Sequence, residues 1–194
     1  MDWSLHRLEE LTEADYERCV ALMEPERRRS VLSVTHEQTR RMTVLGEWVV
    51  KRQLAARFGR PVEDITLART PQGKPYVQGL PMQFSLSHTG TYLAAAFDTK
   101  PVGVDAELVR PVSQRLAQRI CTRSDWAYLS QGRDFDPQDE GQRRRFFEIW
   151  TAKEAWFKRE GTGITRLRGL DYAPIPVRHI WQDELLVTLV TAEA

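Results

Sequence analysis

Apolar side chains recur at helical spacing in several stretches of the chain. The first predicted helix follows Thr12, and the second runs from Thr35, where Gln38 completes a capping-box pattern, towards Gly59. Another long helix is predicted over about residues 144–160. The segments between these helices have a different period.

Apolar and polar positions alternate at 84–88 and 102–108, as in β-strands with one buried face, and the other segments are short strand-like runs. Strands are predicted at residues 64–69, 84–88, 92–97, 102–108 and 185–190. Helices and strands therefore form an α+β pattern that occurs about twice. We expect a boundary near the turn at 98–101, which divides the chain into halves 1–100 and 101–194.

Composition narrows the function classes. The 28 Lys and Arg residues nearly balance the 27 Asp and Glu residues, which argues against nucleic acid as a partner. Cys19 and Cys121 have neither metal-ligand spacing nor a disulfide framework, and they fit a reducing compartment. Neither a signal-peptide pattern nor a run of ~20 apolar residues is present, so we expect a cytoplasmic protein that does not bind membranes.

The strand at 102–108 carries two acidic residues on one face. Asp105 and Glu107 alternate with apolar residues, and alternate side chains of a strand lie ~6.5–7 Å apart along one face. Mg²⁺ is commonly held by one or two carboxylates together with substrate phosphates and water. A strand with one face in water has the same pattern, so both interpretations stay open. Gly103 on the acidic face leaves room for a bulky ligand and favours a site.

The helix at 144–160 places a lysine in an apolar arc. Lys153 lies in the middle of an arc formed by Phe146, Trp150 and Phe157. A lysine in this position either extends its ammonium to water or meets an anion. Glu154 and Lys158 flank it, and as an ordinary helix pair they would contribute only ~0.2–0.5 kcal/mol. One carboxylate beside two ammonium groups would also suit phosphoryl transfer.

These two segments resemble the signature motifs of the 4'-phosphopantetheinyl transferase superfamily. Residues 73–75 and 84–90 match two further family segments in the family's order, and the resemblance runs from about Pro25 to Gly163. It is closest to the larger single-chain type that activates peptide and polyketide synthetases. The resemblance implies transfer of the phosphopantetheine arm of coenzyme A to a serine of an apo carrier protein, with Mg²⁺ required and 3',5'-ADP released.

The resemblance also implies a fold and a set of site residues. The implied fold has two similar α+β halves in pseudo-twofold arrangement, with the active site at their interface. The implied oligomeric state is a monomer. The implied metal ligands are Asp105, Glu107 and Asp125. The implied catalytic residues are Glu154 as general base and Lys153 and Lys158 as phosphate-binding cations.

Coenzyme contacts follow from the same resemblance. The implied residues are Arg27, Arg28 and Arg41 for the 3'-phosphate, Lys74 and Pro75 for adenine, and Ser87 and His88 for the other phosphates. The family's usual helix arginine falls on Met42 in this chain. We therefore expect the neighbouring Arg41 to replace it.

Two alternatives differ in function class. Another Mg²⁺-dependent phosphoryl-transfer enzyme would use the same acids, but the sequence contains no Walker-type glycine loop and no His/Cys metal cluster. A non-catalytic module that binds coenzyme A or a carrier protein is the second alternative. Asp125, one methylene shorter than the usual Glu, and Met42 leave room for it, whereas Glu154 favours an enzyme. Carriers of fatty-acid, polyketide and peptide synthesis all present a serine at a helix start, so the motifs favour none of them.

Overall fold

The N-terminal half places helices on a small antiparallel sheet. The computed structural model describes residues 1–163 and 167–191. The elements of this half are β1 (Asp2–Arg7), α1 (Glu13–Ala21), α2 (Pro25–Leu32), α3 (Glu37–Phe58), β2 (Leu67–Arg69), β3 (Pro75–Val77), β4 (Gln83–Thr89) and β5 (Tyr92–Asp98). Strands β1, β5 and β4 form one sheet in that order, α3 packs against β4 and β5, and β2 pairs with β3 as a separate hairpin.

Local chemistry sets the helix ends in this half. The Thr12 side chain accepts a hydrogen bond from the backbone N–H of Asp15, which confirms the predicted start of α1. Helix α3 starts one residue later than predicted, because Nδ1 of His36 accepts from the backbone N–H of Thr39 and takes the cap role assigned to Thr35. The helix ends at Gly59, whose φ of 61° is the left-handed conformation that glycine adopts readily.

The C-terminal half repeats the combination of helices on a sheet. Its elements are β6 (Gly103–Leu108), α4 (Gln114–Ile120), α5 (Arg123–Ser130), α6 (Glu140–Glu160), β7 (Val177–Gln182) and β8 (Leu185–Val190). The antiparallel sheet has the order β6-β8-β7, and α6 packs across β6 and β8. Helix α6 begins four residues earlier than predicted because the Asp139 side chain caps it, and it ends at Gly161 as predicted. The two-half α+β fold is thereby confirmed.

The halves meet along strands β4 and β6. In the described part of the chain the two sheets share no backbone ladder. Instead, Ser85, Ser87 and Thr89 present their hydroxyls to β6, and we call these three residues the hydroxyl seam. The Ser85 Oγ accepts from the backbone N–H of Val104 at 3.1 Å, and the Thr89 Oγ1 accepts from that of Leu108 at 3.3 Å. Polar side chains thus satisfy strand-edge groups at the interface between the halves.

An apolar core reinforces this interface. It combines two alanines of β5 with small and branched residues on β8 and in or next to β6: Ala94, Ala96, Val102, Val104, Ala106, Leu185, Val187 and Leu189. The acidic face of β6 is therefore turned away from this core and towards α6. No helix within residues 1–163 and 167–191 is long and apolar enough to cross a membrane.

Candidate active site

Gly103 sets the distance between β6 and α6. A Cβ atom added to Gly103 would lie 1.8 Å from the carbonyl oxygen of Ala155 and 2.9 Å from the backbone nitrogen of Arg159. The expectation that Gly103 leaves space for a ligand is therefore wrong, because the α6 backbone occupies that space. Only glycine permits this approach, and it brings the α6 side chains onto the acidic strand.

A buried charge pair lies where the two elements meet. The Lys158 Nζ donates to the Asp105 Oδ1 at 2.6 Å and to the Ser87 Oγ at 2.7 Å, and Ser87 in turn donates to the same carboxylate oxygen at 2.7 Å. Asp105 is only 1% exposed. Its second oxygen, Oδ2, is buried and has no hydrogen-bond partner among the described residues. An unsatisfied buried carboxylate oxygen is costly, and a cation would satisfy it.

Glu107 lies nearer the surface on the same face of β6. Its Oε2 accepts from the Arg110 Nη1 at 2.9 Å and from the Thr89 Oγ1 at 3.4 Å. The Arg110 guanidinium lies over two rings of α6, 5.4 Å from the Trp150 centroid and 5.5 Å from the Phe147 centroid. The second predicted metal ligand therefore has a cationic partner in this structure.

Glu154 on α6 is held between the acids and an indole. The Trp150 Nε1 donates to the Glu154 Oε1 at 2.5 Å. Burial raises the pKa of Glu154 to about 7, with contributions from the negative charges of Asp105 and Glu107, while the hydrogen bond from Trp150 and the charge of Lys158 oppose the shift. A carboxyl group with a pKa near 7 can accept a proton at neutral pH.

The residues at this site fit a divalent cation that substrate also coordinates. No group of three His, Cys, Asp or Glu side chains in residues 1–163 and 167–191 could hold a metal ion by itself. Mg²⁺ needs only one or two carboxylates when phosphate oxygens and waters complete its coordination. The unpaired Oδ2 of Asp105 and the mutual repulsion of the neighbouring carboxylates both favour a cation here.

Lys153 and Asp125 lie outside this site, as a buried ion pair. Lys153 is 0% exposed, and its Nζ donates to the Ile120 carbonyl at 2.8 Å and to the Asp125 Oδ2. That oxygen also accepts from the backbone N–H of Thr122, and Oδ1 accepts from that of Tyr172, both at 2.8 Å. This placement gives no support to phosphate binding by Lys153 or metal binding by Asp125, because protein groups already satisfy both side chains, and the two roles stay predictions.

A cleft of about 620 Å³ opens in the N-terminal half beside the site. Residues lining it include Arg27, Met42, Glu47, Arg69, Pro75, Leu86 and His88. The Arg27 Nε donates to the Glu47 Oε2 at 3.1 Å. The pKa of Arg69 is lowered by partial burial and by the positive charge of Arg27. Sequence reasoning missed Arg69, which lies in a three-residue strand. The cleft thus contains two neighbouring guanidinium groups.

The other two predicted arginines point towards α1 and do not line the cleft. The Arg28 side chain donates to the carbonyl oxygens of Val20 at 2.9 Å and Met23 at 3.2 Å, at the end of α1. Arg41 forms an ion pair with Glu13 at 2.8 Å. These contacts give no support to coenzyme binding by Arg28 and Arg41, because both guanidinium groups contact the α1 region, and the two roles stay predictions.

A second cavity of about 250 Å³ lies next to the cleft and is lined on one side by the end of α6. Both cavities are lined by Pro75, Phe84 and Leu86, and the second also contacts Lys74 and Lys158. The Lys74 Nζ donates to the Arg159 carbonyl at 2.6 Å and so ties the β2–β3 hairpin to the end of α6.

His88 is exposed at the rim of the first cavity. Its pKa is lowered by partial burial and by the Lys158 charge, although Asp105 opposes the shift. The imidazole therefore lies within electrostatic reach of the Asp105–Lys158 pair, and the two cavities lead from Arg27 and Arg69 to that pair.

A buried carboxylate paired with lysine, a carboxyl with raised pKa and a cation-lined cleft are typical of an enzyme that acts on a phosphorylated substrate. Two family models cover nearly the whole chain. The model "4'-phosphopantetheinyl transferase, N-terminal" matches residues 10–100, and the model "4'-phosphopantetheinyl transferase superfamily" matches residues 101–191. The chain belongs to the 4'-phosphopantetheinyl transferase superfamily, as the sequence motifs predict.

Individual relatives carry the same description. The chain is 29% identical over 156 residues to 4'-phosphopantetheinyl transferase Sfp of Bacillus subtilis (strain 168). The matched stretch covers 80% of this chain and 67% of that protein. It is 32% identical to 4'-phosphopantetheinyl transferase psf-1 of Bacillus pumilus, over 64% of this chain and 52% of the relative. It is 31% identical to 4'-phosphopantetheinyl transferase AcpT of Salmonella typhi, over 64% and 63%. The matches span about half to two thirds of these relatives.

Proposed function

We propose that this chain transfers the 4'-phosphopantetheine group of coenzyme A to a serine of an apo acyl or peptidyl carrier protein and releases 3',5'-ADP. Family membership supports the reaction type. The observation that carries the assignment of residues is the position of Glu154, whose raised pKa results from burial and from the acids of β6. The same carboxyl feels the Lys158 charge, so a base and a phosphate-binding cation share one site.

Coenzyme A would lie along the two joined cavities. Arg27 and Arg69 provide the neighbouring guanidinium groups that suit its 3'-phosphate, since guanidinium binds phosphate with two parallel hydrogen bonds. The apolar wall formed by Pro75 and Leu86 suits the adenine ring. At the far end Lys158 would meet the pyrophosphate. Because the cleft and Lys158 come from different halves, coenzyme would bridge them.

Asp105 and Glu107 are the proposed ligands of Mg²⁺. The unpaired Oδ2 of Asp105 supports this role, because it is the buried acceptor that lacks a donor among the described residues. When bound, Mg²⁺ would offset the negative charge of the pyrophosphate during transfer. Lys158 already neutralises the other oxygen of Asp105, at 2.6 Å, which would leave Oδ2 as the oxygen available to the metal ion.

Glu154 is the proposed general base. The Trp150 indole holds its Oε1, which leaves Oε2 to accept the proton of the carrier serine hydroxyl. The serine oxygen then attacks the β-phosphorus, the bond from that phosphorus to the bridging oxygen breaks, and 3',5'-ADP leaves with the bond electrons. Lys158 neutralises phosphate oxygens throughout.

The proposed organisation follows from the same placement. We propose residues 1–100 as the coenzyme half and residues 101–194 as the metal-binding and catalytic half. Since one chain provides both the cleft and the carboxylates, a monomer would be sufficient. The buried free thiols of Cys19 and Cys121 support a reducing cytoplasmic location.

A transfer assay tests the proposal. The chain, coenzyme A, Mg²⁺ and an apo carrier protein are incubated, and mass spectrometry measures addition of the phosphopantetheine arm to the carrier. Transfer should stop in excess EDTA and should fall by ~10²–10⁴-fold in Glu154→Gln, while Glu140→Gln on the exposed end of α6 retains it. Coenzyme binding without transfer to any of several apo carriers would favour the non-catalytic binding module.

A further inference from the structure

Each of the three carboxylates at the site has its own donor. Lys158 pairs with Asp105, and the Trp150 indole N–H donates to Glu154. Arg110 pairs with Glu107, with 2.9 Å between the Arg110 Nη1 and the Glu107 Oε2. Neither the sequence motifs nor the proposed chemistry assigns a role to Arg110.

The ion pair between Arg110 and Glu107 is more exposed to solvent than the contacts of Asp105 and Glu154. The Arg110 side chain is 51% exposed and that of Glu107 is 18% exposed, whereas Asp105 is buried. Ion pairs open to water contribute little, because solvent screens the charges and the long side chain loses freedom. A doubly charged ion between Asp105 and Glu107 would gain more from the same carboxylate. The ion pair between Arg110 and Glu107 is therefore weak, although it partly neutralises the Glu107 carboxylate.

Arg110 also has a second favourable contact that does not depend on Glu107. Its guanidinium lies over the Trp150 ring at 5.4 Å and the Phe147 ring at 5.5 Å, a cation–π arrangement. The Arg110 Nη1 also donates to the carbonyl oxygen of Leu108 at 3.2 Å, so neither this bond nor the stacking on α6 requires Glu107. Departure from the carboxylate is thus inexpensive.

We infer that Arg110 is a resident counter-ion of Glu107, which it releases when a divalent cation binds between Asp105 and Glu107. This inference rests on the proposed metal site. Arg110 limits repulsion among the three carboxylates before a cation binds, and it competes with the incoming cation. Removal of its charge should therefore tighten metal binding, opposite to the effect of removing a ligand.

Mn²⁺ binding to the full chain tests this inference. Coenzyme A is present at saturating concentration, because its phosphates complete the proposed coordination. Electron paramagnetic resonance then measures the free Mn²⁺ that remains with wild type, Arg110→Gln, Arg110→Lys and the control Arg115→Gln, each compared with a protein-free blank. Arg115 is an exposed residue of α4. Its replacement by Gln changes the net charge by the same amount as Arg110→Gln does. We expect Arg110→Gln to bind Mn²⁺ roughly two- to fivefold more tightly, Arg110→Lys to lie between it and wild type, and Arg115→Gln to match wild type.

A thermal unfolding series provides the second readout. Arg110→Gln should gain more in unfolding temperature on addition of Mn²⁺ than wild type does, because tighter binding stabilises the folded state further. Equal or weaker Mn²⁺ binding by Arg110→Gln would overturn the role of Arg110 and leave the metal site intact. If wild type binds no Mn²⁺ in the presence of coenzyme A, the proposed metal site fails and this inference fails with it. Tighter binding without any transfer to carriers would contradict only the proposed reaction.

Discussion

Gly103 on β6 lies so close to Ala155 on α6 that a Cβ atom at Gly103 would be 1.8 Å from the Ala155 carbonyl oxygen. Backbone atoms cannot move away as a side chain can, so any larger residue must push the helix off the sheet. The same helix carries Glu154 and Lys158, which must stay within reach of Asp105. The packing of α6 on β6 and the position of the reactive side chains therefore both depend on the absence of a Cβ atom at residue 103.

Gly103→Ala should consequently lose both stability and activity. Overpacking of this kind costs about 1–3 kcal/mol, which urea unfolding would measure, and the displaced Lys158 should lower the transfer rate in the mass-spectrometric assay. Gly141→Ala, near the start of the same helix, is the matched control, because a Cβ there meets only side-chain atoms at 3.2 Å or more. It should be neutral or slightly stabilising. A fully active Gly103→Ala would refute the close-packing explanation.

Glu154 makes the stability of the metal-free protein depend on pH. Its pKa rises from the ordinary value of 4.5 to about 7 in the folded chain. The folded state thus holds this proton more tightly than the unfolded state, so the free energy of unfolding should fall as pH rises from 4.5 to about 7. Glu154→Gln removes this loss. At pH 8 in EDTA the variant should be more stable than wild type by about 3 kcal/mol.

Urea unfolding at a series of pH values checks this prediction. The advantage of Glu154→Gln should vanish near pH 4, where the wild-type carboxyl is protonated in both states. Glu140→Gln, whose carboxylate is exposed and paired with Arg144, should show no such pH dependence. A constant difference between Glu154→Gln and wild type across the series would mean that Glu154 titrates normally.

Arg69 lines the observed cleft, although the sequence motifs do not include it among the coenzyme contacts. Arg69→Gln should weaken binding of coenzyme A by roughly 10-fold or more, because a lost charge-assisted hydrogen bond costs ~1.5–3 kcal/mol. Its affinity for dephospho-coenzyme A, which lacks the 3'-phosphate, should change little. Isothermal titration calorimetry with both ligands gives the comparison. Arg41→Gln is the control, since Arg41 pairs with Glu13, and it should bind both ligands as wild type does. Equal losses for both ligands in Arg69→Gln would place the 3'-phosphate elsewhere.

Lys153 and Lys158 should respond differently to the same substitution. Lys153→Met leaves Asp125 buried without its cation and should cost about 3–5 kcal/mol of stability. Lys158→Met also leaves a buried carboxylate, that of Asp105, without its cation, so it should lower both stability and transfer activity, whereas Lys153→Met should mainly lower stability. Urea unfolding and the transfer assay measure the two effects. A double-mutant cycle of Lys153→Met with Asp125→Asn should give a cost well below the sum of the single costs. Additive costs would show that the buried pair is not coupled.

The sequence predicts those parts of the fold that depend on local periodicity. The alternation at 102–108 and the end of α6 at Gly161 both appear as predicted, because strand faces and left-handed helix caps depend on a few adjacent residues. The cap of α3 differs because His36 takes the place of a more usual capping hydroxyl. Strand β1 (Asp2–Arg7) has no distinct local pattern, and its pairing with β5 stabilises it.

The site required information that a local pattern does not contain. The apolar arc around Lys153 correctly indicates a costly lysine, but its partner Asp125 lies on another helix 28 residues away. The glycine at position 103 shows that this position has no side chain, but the sequence does not tell which element packs against it. The hydroxyls of Ser85 and Thr89 alternate along β4, a signal visible in the sequence, yet only the neighbouring strand β6 gives that alternation a meaning.

The hydroxyl seam has a consequence for the order of assembly during synthesis. Its side chains contact β6 on one edge, but the backbone ladder of β6 forms with β8, from Gly103 opposite Val190 to Leu108 opposite Leu185. All proposed chemical residues lie before residue 160, so they leave the ribosome well ahead of β8. A nascent chain that ends after α6 therefore contains every reactive group and still lacks the strand that holds Asp105 and Glu107 in register. Activity should arise only when the last strand is in place.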